Sequence, residues 1–205
     1  GGETLAVGEH GVILHHDGSA WRGHDSGTTA HLRGVWGKFA VGDGGTVLVR
    51  SGNSWKALTS GTTQRLAGVW ASGDDAFAVG NKGTVLRISG GSAKTASAGS
   101  DADLSAVWGA SASDVHAAGK EVMLHFDGTS WKKAAVDMTG ITIYGIWGPA
   151  ADDVYAVGWD RGGGGKAVWH YDGKAWSAQE VDKSLRQALY GAWGPSADDV
   201  AAVGV

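Results

Sequence analysis

Cysteine is absent from the 205-residue sequence, and proline occurs in it only 2 times. The lack of cysteine excludes disulfides, thiolate metal sites and cysteine nucleophiles. No apolar stretch approaches the length of a membrane span, so we expect no insertion into a bilayer. Lysine and arginine are scattered rather than clustered, and the formal net charge is −4, which argues against a nucleic-acid partner.

Glycine and tryptophan are abundant instead, with 36 and 11 residues. Much glycine with little proline indicates many tight turns between short strands rather than a disordered chain. So many tryptophans require a large core or a binding surface. The chain begins Gly-Gly-Glu-Thr, with neither a methionine nor a signal peptide, and we expect it to be a mature or excised piece.

An internal repeat of roughly forty residues organises the sequence. Gly-Val-Trp-Gly or a close variant places tryptophans at Trp36, Trp70, Trp108, Trp147 and Trp193. Ala-Val-Gly or Ala-Ala-Gly ends at Gly8, Gly42, Gly80, Gly119, Gly158 and Gly204. A third motif, Asp-Gly or Ser-Gly followed by two residues and tryptophan, gives Trp21, Trp55, Trp131 and Trp176. Because the motifs drift together along the chain, the repeat is genuine.

Each repeat predicts four short strands, which we call A, B, C and D. Residues 32–37 are typical of strand A, 153–158 of strand B and 45–48 of strand C, and strand D begins at the tryptophan after the turn. Asp-Gly between apolar runs indicates a hairpin. Repeated four-stranded units predict an all-β fold, a five-bladed β-propeller of antiparallel blades.

We expect one β-propeller domain over residues 1–205. Its blades are residues 32–65, 66–103, 104–142 and 143–188, and residues 1–31 form a fifth blade together with 189–205. Strand A of the last repeat would pair with the opening strand B and close the ring, which removes free edges. Residues 199–204 are then a surplus strand B, which either overlays or displaces residues 3–8. The alternative is part of a six- or seven-bladed array.

These motifs resemble those of bacterial β-propeller repeat proteins. The stretches Trp-Gly, Asp-Val-Tyr-Ala-Val-Gly and Leu-His-x-Asp-Gly-x-x-Trp are similar to Asp-box (neuraminidase-like) repeats and to photosystem II assembly-factor-like propellers. Residues 168–176 are also similar to the repeat of some bacterial lectin propellers. In a true Asp box a residue separates the aspartate from the glycine, whereas the two are adjacent here. The resemblance implies the fold, and a fold alone does not transfer function.

Polar residues that share one position in several copies are predicted to be structural, although the histidine position holds Val49 and Arg87 in the other two copies. Aspartates such as Asp114 and Asp153 precede strand B, where we expect them to bond backbone amides of the turn. His15, His125 and His170 share one position in strand C and are expected to face solvent, with a metal site among the N-terminal histidines as the alternative. The tryptophans of strand A are assigned to the core, and those after the Asp-Gly turn to the blade edge. We predict no catalytic residue, no metal site and no cofactor.

The clearest departure from the repeat is residues 159–166, Trp-Asp-Arg-Gly-Gly-Gly-Gly-Lys, which lengthen one connection between strands B and C. The same repeat has the longest connection between strands D and A, residues 180–189. In a propeller both kinds of connection leave the same face. We therefore predict a ligand-binding surface there. Its residues are Trp159, Asp160, Arg161, Lys166, Lys183 and Arg186.

The predicted function is a non-catalytic binding or scaffolding module for a protein or a glycan. We expect it to be a monomer outside the cytoplasm, in the periplasm, on the cell surface or secreted. A lectin with equivalent sites between blades is one alternative, and it requires exposed repeated aromatic rings. A glycosidase or lyase is another, and it requires carboxylates, tyrosine or histidine from different copies on one face. A purely structural array with no ligand is the last.

Overall fold

The structure is a computed structural model that describes residues 4–165, 167–182 and 187–205. The described residues form strands and turns, with 3-10 turns at Glu9–Gly11 and Asp43–Gly45. Among them no helix has the length and hydropathy that crossing a bilayer requires. The strands build antiparallel sheets that belong to two compact units, Gly1–Ala96 and Ser97–Val205.

The first unit contains three sheets. Its strands are β1 (Thr4–Val7), β2 (Ile13–His16), β3 (Trp21–His24), β4 (Leu32–Trp36), β5 (Phe39–Gly42), β6 (Val47–Ser51), β7 (Ser54–Ala57), β8 (Leu66–Ser72), β9 (Asp75–Gly80), β10 (Val85–Ser89) and β11 (Ser92–Ala96). Strands β1 to β3 form a three-stranded sheet, while β4 to β7 and β8 to β11 form four-stranded sheets. Each four-stranded sheet is one predicted A–B–C–D repeat.

The second unit contains two four-stranded sheets and one two-stranded sheet. Its strands are β12 (Leu104–Ser111), β13 (Asp114–Gly119), β14 (Val122–Phe126), β15 (Trp131–Lys133), β16 (Ile141–Ala150), β17 (Asp153–Asp160), β18 (Val168–Tyr171), β19 (Trp176–Ala178), β20 (Leu189–Ser196) and β21 (Asp199–Gly204). Strands β12 to β15 and β16 to β19 are complete repeats, and β20 pairs with β21. Consecutive strands lie side by side in every sheet.

The predicted closure of the ring by the two chain ends is wrong. Strand β20 pairs with the neighbouring β21 in a sheet of its own, and β1 is the edge strand of the three-stranded sheet. The surplus strand B therefore takes the place that the opening strand was expected to fill. A hairpin with the next strand along the chain closes a short loop, which costs far less conformational entropy than joining the chain ends.

The glycine of the Ala-Val-Gly motif marks a close approach of strand B to the residue before strand A. A Cβ on this glycine would lie 1.9 to 2.2 Å from a backbone carbonyl oxygen in five copies, Gly42, Gly80, Gly119, Gly158 and Gly204. At Gly119 the oxygen belongs to Asp103, and it also accepts a hydrogen bond from the amide of Lys120, 2.8 Å away. Any larger residue would force these backbones apart.

Strand B is the most buried strand of each complete repeat. Every residue of β5 is buried, as are the last five residues of β9 and of β13. In the first unit, side chains of β5 and β9 pack with Val69 of β8 and with Leu86 and Ile88 of β10. The core therefore lies along the B strands, between neighbouring sheets.

The strand A tryptophans differ in burial from one repeat to another, and Trp147, in the longest of these strands, is half-buried. Trp70 and Trp108 are 4% and 7% exposed, which confirms their assignment to the core. The assignment is wrong for Trp36 and Trp193, which are 43% and 64% exposed. Trp193 lies in the two-stranded sheet. Trp36 is the last residue of its strand, because a tight turn leads directly back to Phe39.

Candidate functional site

The predicted surface at residues 159–166 is a turn whose polar groups contact one another. Strand β17 runs on to Asp160, whose Oδ1 accepts a hydrogen bond from the amide of Gly162 at 2.9 Å. The guanidinium carbon of Arg161 lies 5.8 Å from the centre of the half-buried Trp159 ring, within range of a cation–π contact. Arg161 therefore places its positive charge beside the ring of Trp159.

The two long connections of this repeat lie beside each other, as the sequence predicts. A Cβ on Gly165 would be 4.0 Å from Cγ2 of Val181 in the connection between strands D and A. The remaining predicted residues of this surface, Lys166, Lys183 and Arg186, lie outside the described residues. The binding role of the whole surface stays a prediction.

A cavity of about 180 Å³ lies between the outer strands of two neighbouring sheets in the second unit. We call it the lysine groove. Its wall is His125, Tyr171 and Trp176, and its rim carries Lys132, Lys133 and Lys174. Residues 134–136 and Ala175 complete the lining. The groove combines aromatic rings with ammonium groups, which suits a ligand that has both an apolar and an anionic part.

Two Asp-Gly turns hold the strands that carry the groove. Oδ1 of Asp127 accepts hydrogen bonds from the amides of Thr129 and Ser130 at 3.0 and 2.9 Å. Oδ1 of Asp172 accepts two from the amides of Lys174 and Ala175, both at 2.9 Å. The turns therefore fix where β15 and β19 begin, and with them the tryptophans that open both strands.

The lysines of the groove differ in their charge partners. Nζ of Lys132 lies 2.6 Å from Oδ2 of Asp127. This ammonium and the amides of Ser130 and Thr129 hold the pKa of Asp127 well below its ordinary range. Lys133 and Lys174 are exposed and form no salt bridge with any carboxylate in the described part of the chain. Neither of these two rim lysines is therefore held by a salt bridge, although the charge of Lys174 still interacts with that of Asp172.

Behind the groove lies a cluster of Asp114, His116 and His125. Nε2 of His125 and Oδ1 of Asp114 are 2.7 Å apart, and the same Oδ1 is 3.8 Å from Nε2 of His116. The two imidazole rings are stacked, with centroids 4.5 Å apart and planes 12° apart. The rings of Tyr171 and Trp176, which line the groove, lie 4.9 and 5.5 Å from that of His116. The groove and the cluster thus share a wall.

His116 is 1% exposed, and neither of its ring nitrogens has a hydrogen-bond partner within the described residues. Burial lowers the pKa of His116 to about 4, with the nearby His125 as a smaller cause, although Asp114 acts in the opposite direction. The ring is therefore neutral near pH 7. One ring nitrogen then has a free lone pair, in a place where water does not reach it.

The predicted environment of the recurring aspartates and histidines needs correction. The carboxylates of Asp114 and Asp153 bond imidazoles of strand C, at 2.7 Å in both sheets. His125 and His170 are accordingly half-buried in these pairs rather than facing solvent, and His15 is 8% exposed. An aspartate at the start of strand B can reach a histidine on the adjacent strand, which competes with the backbone of its own turn.

Sequence analysis missed His116. In the ladder it lies opposite Trp108, a position that is Phe77 in one neighbouring repeat and Tyr155 in another. Aligning Asp-Val-His-Ala-Ala-Gly with Asp-Val-Tyr-Ala-Val-Gly exposes the exchange of an aromatic ring for an imidazole. Departures within the strands are thus as informative as departures in the connections.

The first unit has a second group of possible metal ligands, Glu9, His10 and His31. The rings of His10 and His31 lie 4.9 Å apart in an edge-to-face arrangement. Glu9 and His10 are exposed, and His31 is half-buried. The guanidinium of Arg33, which bonds Asp43, also interacts with Glu9, so a positive charge is already present beside this group.

The comparisons with known proteins show the type of fold. No protein-family model matches the chain, and no curated protein matches it. Among solved structures it is similar to YCF48 from Cyanidioschyzon merolae, with 15% identity, a TM-score of 0.69, and coverage of 99% of this chain and 74% of that one.

Two further solved structures share the architecture. The WD40 repeats of RRP9 give 13% identity, a TM-score of 0.75, and coverage of 98% of this chain and 69% of that one. A structure described as YCF48 bound to D1 peptide gives 14% identity, a TM-score of 0.54, and coverage of 98% and 86%. WD40 repeats form β-propellers. At these identities the likeness establishes the fold alone, and it agrees with the predicted resemblance to photosystem II assembly-factor-like propellers.

Proposed function

We propose that the chain is a non-catalytic binding module in which each sheet is a propeller blade, and that it binds an acidic peptide segment of a partner protein in the lysine groove. The observation that carries this is the groove itself, whose lining combines the rings of Tyr171 and Trp176 with the exposed residues Lys133 and Lys174. The location outside the cytoplasm and the monomeric state remain predictions.

The chemistry of the groove favours an acidic segment with an apolar side chain. A volume of about 180 Å³ accommodates one or two side chains rather than a cofactor. Burial, together with the charges of Asp114 and Asp172, raises the pKa of Tyr171, so its hydroxyl stays protonated and can donate a hydrogen bond. Carboxylates of the peptide would pair with the two rim lysines.

One of the structurally similar proteins is described as bound to the D1 peptide. That finding concerns the other protein, and it supports a peptide ligand here only through the shared fold.

The repeated aromatic residues favour a peptide over a multivalent glycan. Equivalent sugar sites between blades would need the repeated tryptophans to be exposed. Trp55, Trp131 and Trp176 are 7%, 8% and 8% exposed, and Trp21 alone of this set is largely open, at 51%. The rings of the complete repeats therefore serve packing first.

The Asp–His pairs also favour a scaffold over an enzyme. A carboxylate bonded to an imidazole is a common part of catalytic sites. Here the pair occurs in two sheets, as Asp114 with His125 and Asp153 with His170, at the same distance of 2.7 Å. A feature that repeats with the fold is explained by the fold, and we propose no reaction.

The test is binding of a fluorescein-labelled peptide that alternates glutamate and phenylalanine, measured by anisotropy with the full chain. Two exposed ion pairs contribute about 0.2–1 kcal/mol each. We expect the double variant Lys133→Gln/Lys174→Gln to bind roughly twofold to thirtyfold more weakly than the unchanged chain. The matched control, Lys56→Gln/Lys120→Gln, removes the same charge from exposed residues that do not line the groove and should leave the affinity unchanged.

A third variant separates the two candidate surfaces. Trp159→Ala/Arg161→Ala removes the stacked pair of the predicted surface at residues 159–166. If this variant loses binding while the lysine variant retains it, the peptide binds there and the groove proposal is wrong. Equal losses in the lysine variant and its charge control would equally contradict it.

A further inference from the structure

We propose that Asp114, His116 and His125 form a binding site for a divalent transition metal ion such as zinc. The three side chains belong to adjacent strands of one sheet, β13 and β14. Their donor atoms all lie within 4.8 Å of one another. One carboxylate and two imidazoles are a donor set typical of zinc.

The strand geometry directs these side chains toward one point. Asp114 and His116 are two residues apart on β13, so they project from the same face of the sheet. His125 lies directly opposite His116 in the antiparallel ladder. Two alternate residues of one strand and their cross-strand neighbour therefore surround a common volume above the sheet, as the three protein ligands of a tetrahedral site must.

The distances require only a small adjustment. Ligand atoms lie about 2.0–2.2 Å from zinc, so neighbouring ligands of a tetrahedral site are roughly 3.3–3.5 Å apart. Oδ1 of Asp114 and Nε2 of His116 are already 3.8 Å apart. The 2.7 Å between Asp114 and His125 is the length of a hydrogen bond. It would lengthen once the ion replaces the shared proton.

His125 also has to rotate. A metal ion lies near the plane of each imidazole that ligates it, and the planes of His116 and His125 are now 12° apart and stacked. His125 is one-third exposed and lines the lysine groove, which leaves room for this rotation. His116 is held by the surrounding rings and would serve as the fixed ligand.

The buried imidazole is the independent sign of a ligand. His116 is 1% exposed, with both ring nitrogens unpartnered in the described part of the chain. Leaving a buried polar group unsatisfied costs free energy, and native proteins rarely do so without a functional reason. Neighbouring repeats fill this position with Phe77 and Tyr155, so packing alone does not require histidine. A bound ion would satisfy one of the two nitrogens.

The experiment is calorimetric titration of the full chain with zinc chloride after removal of bound metal with EDTA. The group of Glu9, His10 and His31 could also bind zinc, so the titration uses the background variant His10→Ala/His31→Ala. We expect one saturable zinc site in this background. Adding His116→Phe should weaken its affinity at least tenfold, and adding Asp114→Asn should weaken it as well.

Two controls keep the result interpretable. His116→Phe places in β13 the residue that β9 carries as Phe77, so it should fold, and circular dichroism with a melting curve checks this. His170→Ala removes the imidazole that bonds Asp153 in the other sheet. Because that pair has no third ligand at the position of His116, this variant should leave the zinc titration unchanged. The inference is overturned if the background shows no saturable zinc binding, or if folded His116→Phe binds zinc as tightly as the background does.

Discussion

Single side chains at one repeat position differ in exposure from one copy of the repeat to another. The same repeat position is nearly closed to solvent at Trp70 and largely open at Trp193. Likewise the position that Phe77 occupies in one repeat is occupied by His116 in the next. There the imidazole ring is buried and neutral near pH 7. A residue's role is therefore set by which copy of the repeat carries it, and not by the motif alone.

The buried imidazole makes the stability of the protein depend on pH. The pKa of His116 is about 4 in the folded chain against an ordinary value of 6.5, so between these values the unfolded chain binds a proton that the folded chain does not. Stability is therefore lost as pH falls from 6.5 towards 4. Asp114, His125 and Tyr171 face the ring of His116, and all three are unchanged when His116 is replaced.

We predict that His116→Phe gains stability relative to the unchanged chain by about 1 kcal/mol between pH 7 and pH 5.5, and by up to about 3 kcal/mol near pH 4. Urea unfolding followed by tryptophan fluorescence, in the presence of EDTA, measures the difference at each pH. Other titrating groups are common to both proteins and cancel to first order. A difference that does not change with pH would show that the pKa of His116 is the same in the folded and the unfolded chain.

At the scale of the strands, one close backbone contact recurs from repeat to repeat. The glycine of the Ala-Val-Gly motif closely approaches a backbone carbonyl oxygen at or just before the start of strand A in every copy that has both strands in one sheet. In the first sheet, which has no strand A, Gly8 has nothing within 4 Å of its would-be Cβ. The motif is the same in the sequence, and only the sheet tells the two situations apart.

We predict that Gly119→Ala destabilises the protein by about 3 kcal/mol, because its Cβ would lie 1.9 Å from the carbonyl oxygen of Asp103. Gly8→Ala is the matched substitution at the same motif position and should change stability by less than about 0.5 kcal/mol. Chemical unfolding of both variants checks the pair. Equal losses would mean that the first sheet has a neighbour at Gly8.

Sequence patterns determine the strands because each strand depends on local turns and on its own alternation. Strand A was expected at residues 32–37 and strand B at 153–158, and the strands are Leu32–Trp36 and Asp153–Asp160. The partner of β20 could not be predicted from sequence patterns, because two chemically similar B strands, residues 3–8 and 199–204, were both candidates.

The candidate site was less accessible to sequence analysis than the strands were. The lysine groove is lined by Lys133 from one repeat and by Tyr171 and Trp176 from the next. The spacing of these residues along the sequence does not predict that they line one cavity. The histidine cluster depends on the ladder register that sets His125 opposite His116. Motifs describe what each repeat shares, whereas both sites arise from how neighbouring strands and sheets meet.

At the scale of the whole molecule, charge separates the groove from its surroundings. The net charge is −4, so the protein as a whole repels an acidic peptide at long range. At short range the rim of the groove attracts it, since Lys133 and Lys174 have no salt-bridge partner in the part of the chain that the structure describes. Added salt screens both effects, and the closer contacts dominate the affinity.

We predict that the affinity for the glutamate–phenylalanine peptide falls severalfold when sodium chloride is raised from about 0.05 M to about 0.5 M. In Lys133→Gln/Lys174→Gln the dependence on salt should flatten or change sign, because the repulsion by the net charge remains. Anisotropy titrations at several salt concentrations measure both slopes. Parallel slopes would place the electrostatic contact elsewhere on the molecule.

Every ladder in the described sheets joins strands that are consecutive in the chain. No strand pairing within a sheet has to wait for a distant segment, which gives these contacts a short sequence separation for an all-β protein. During synthesis the strands of one sheet can pair once they have left the ribosome, whereas the core between neighbouring sheets forms only after the next repeat has been translated. Each newly translated repeat would therefore complete the core on the sheet made before it.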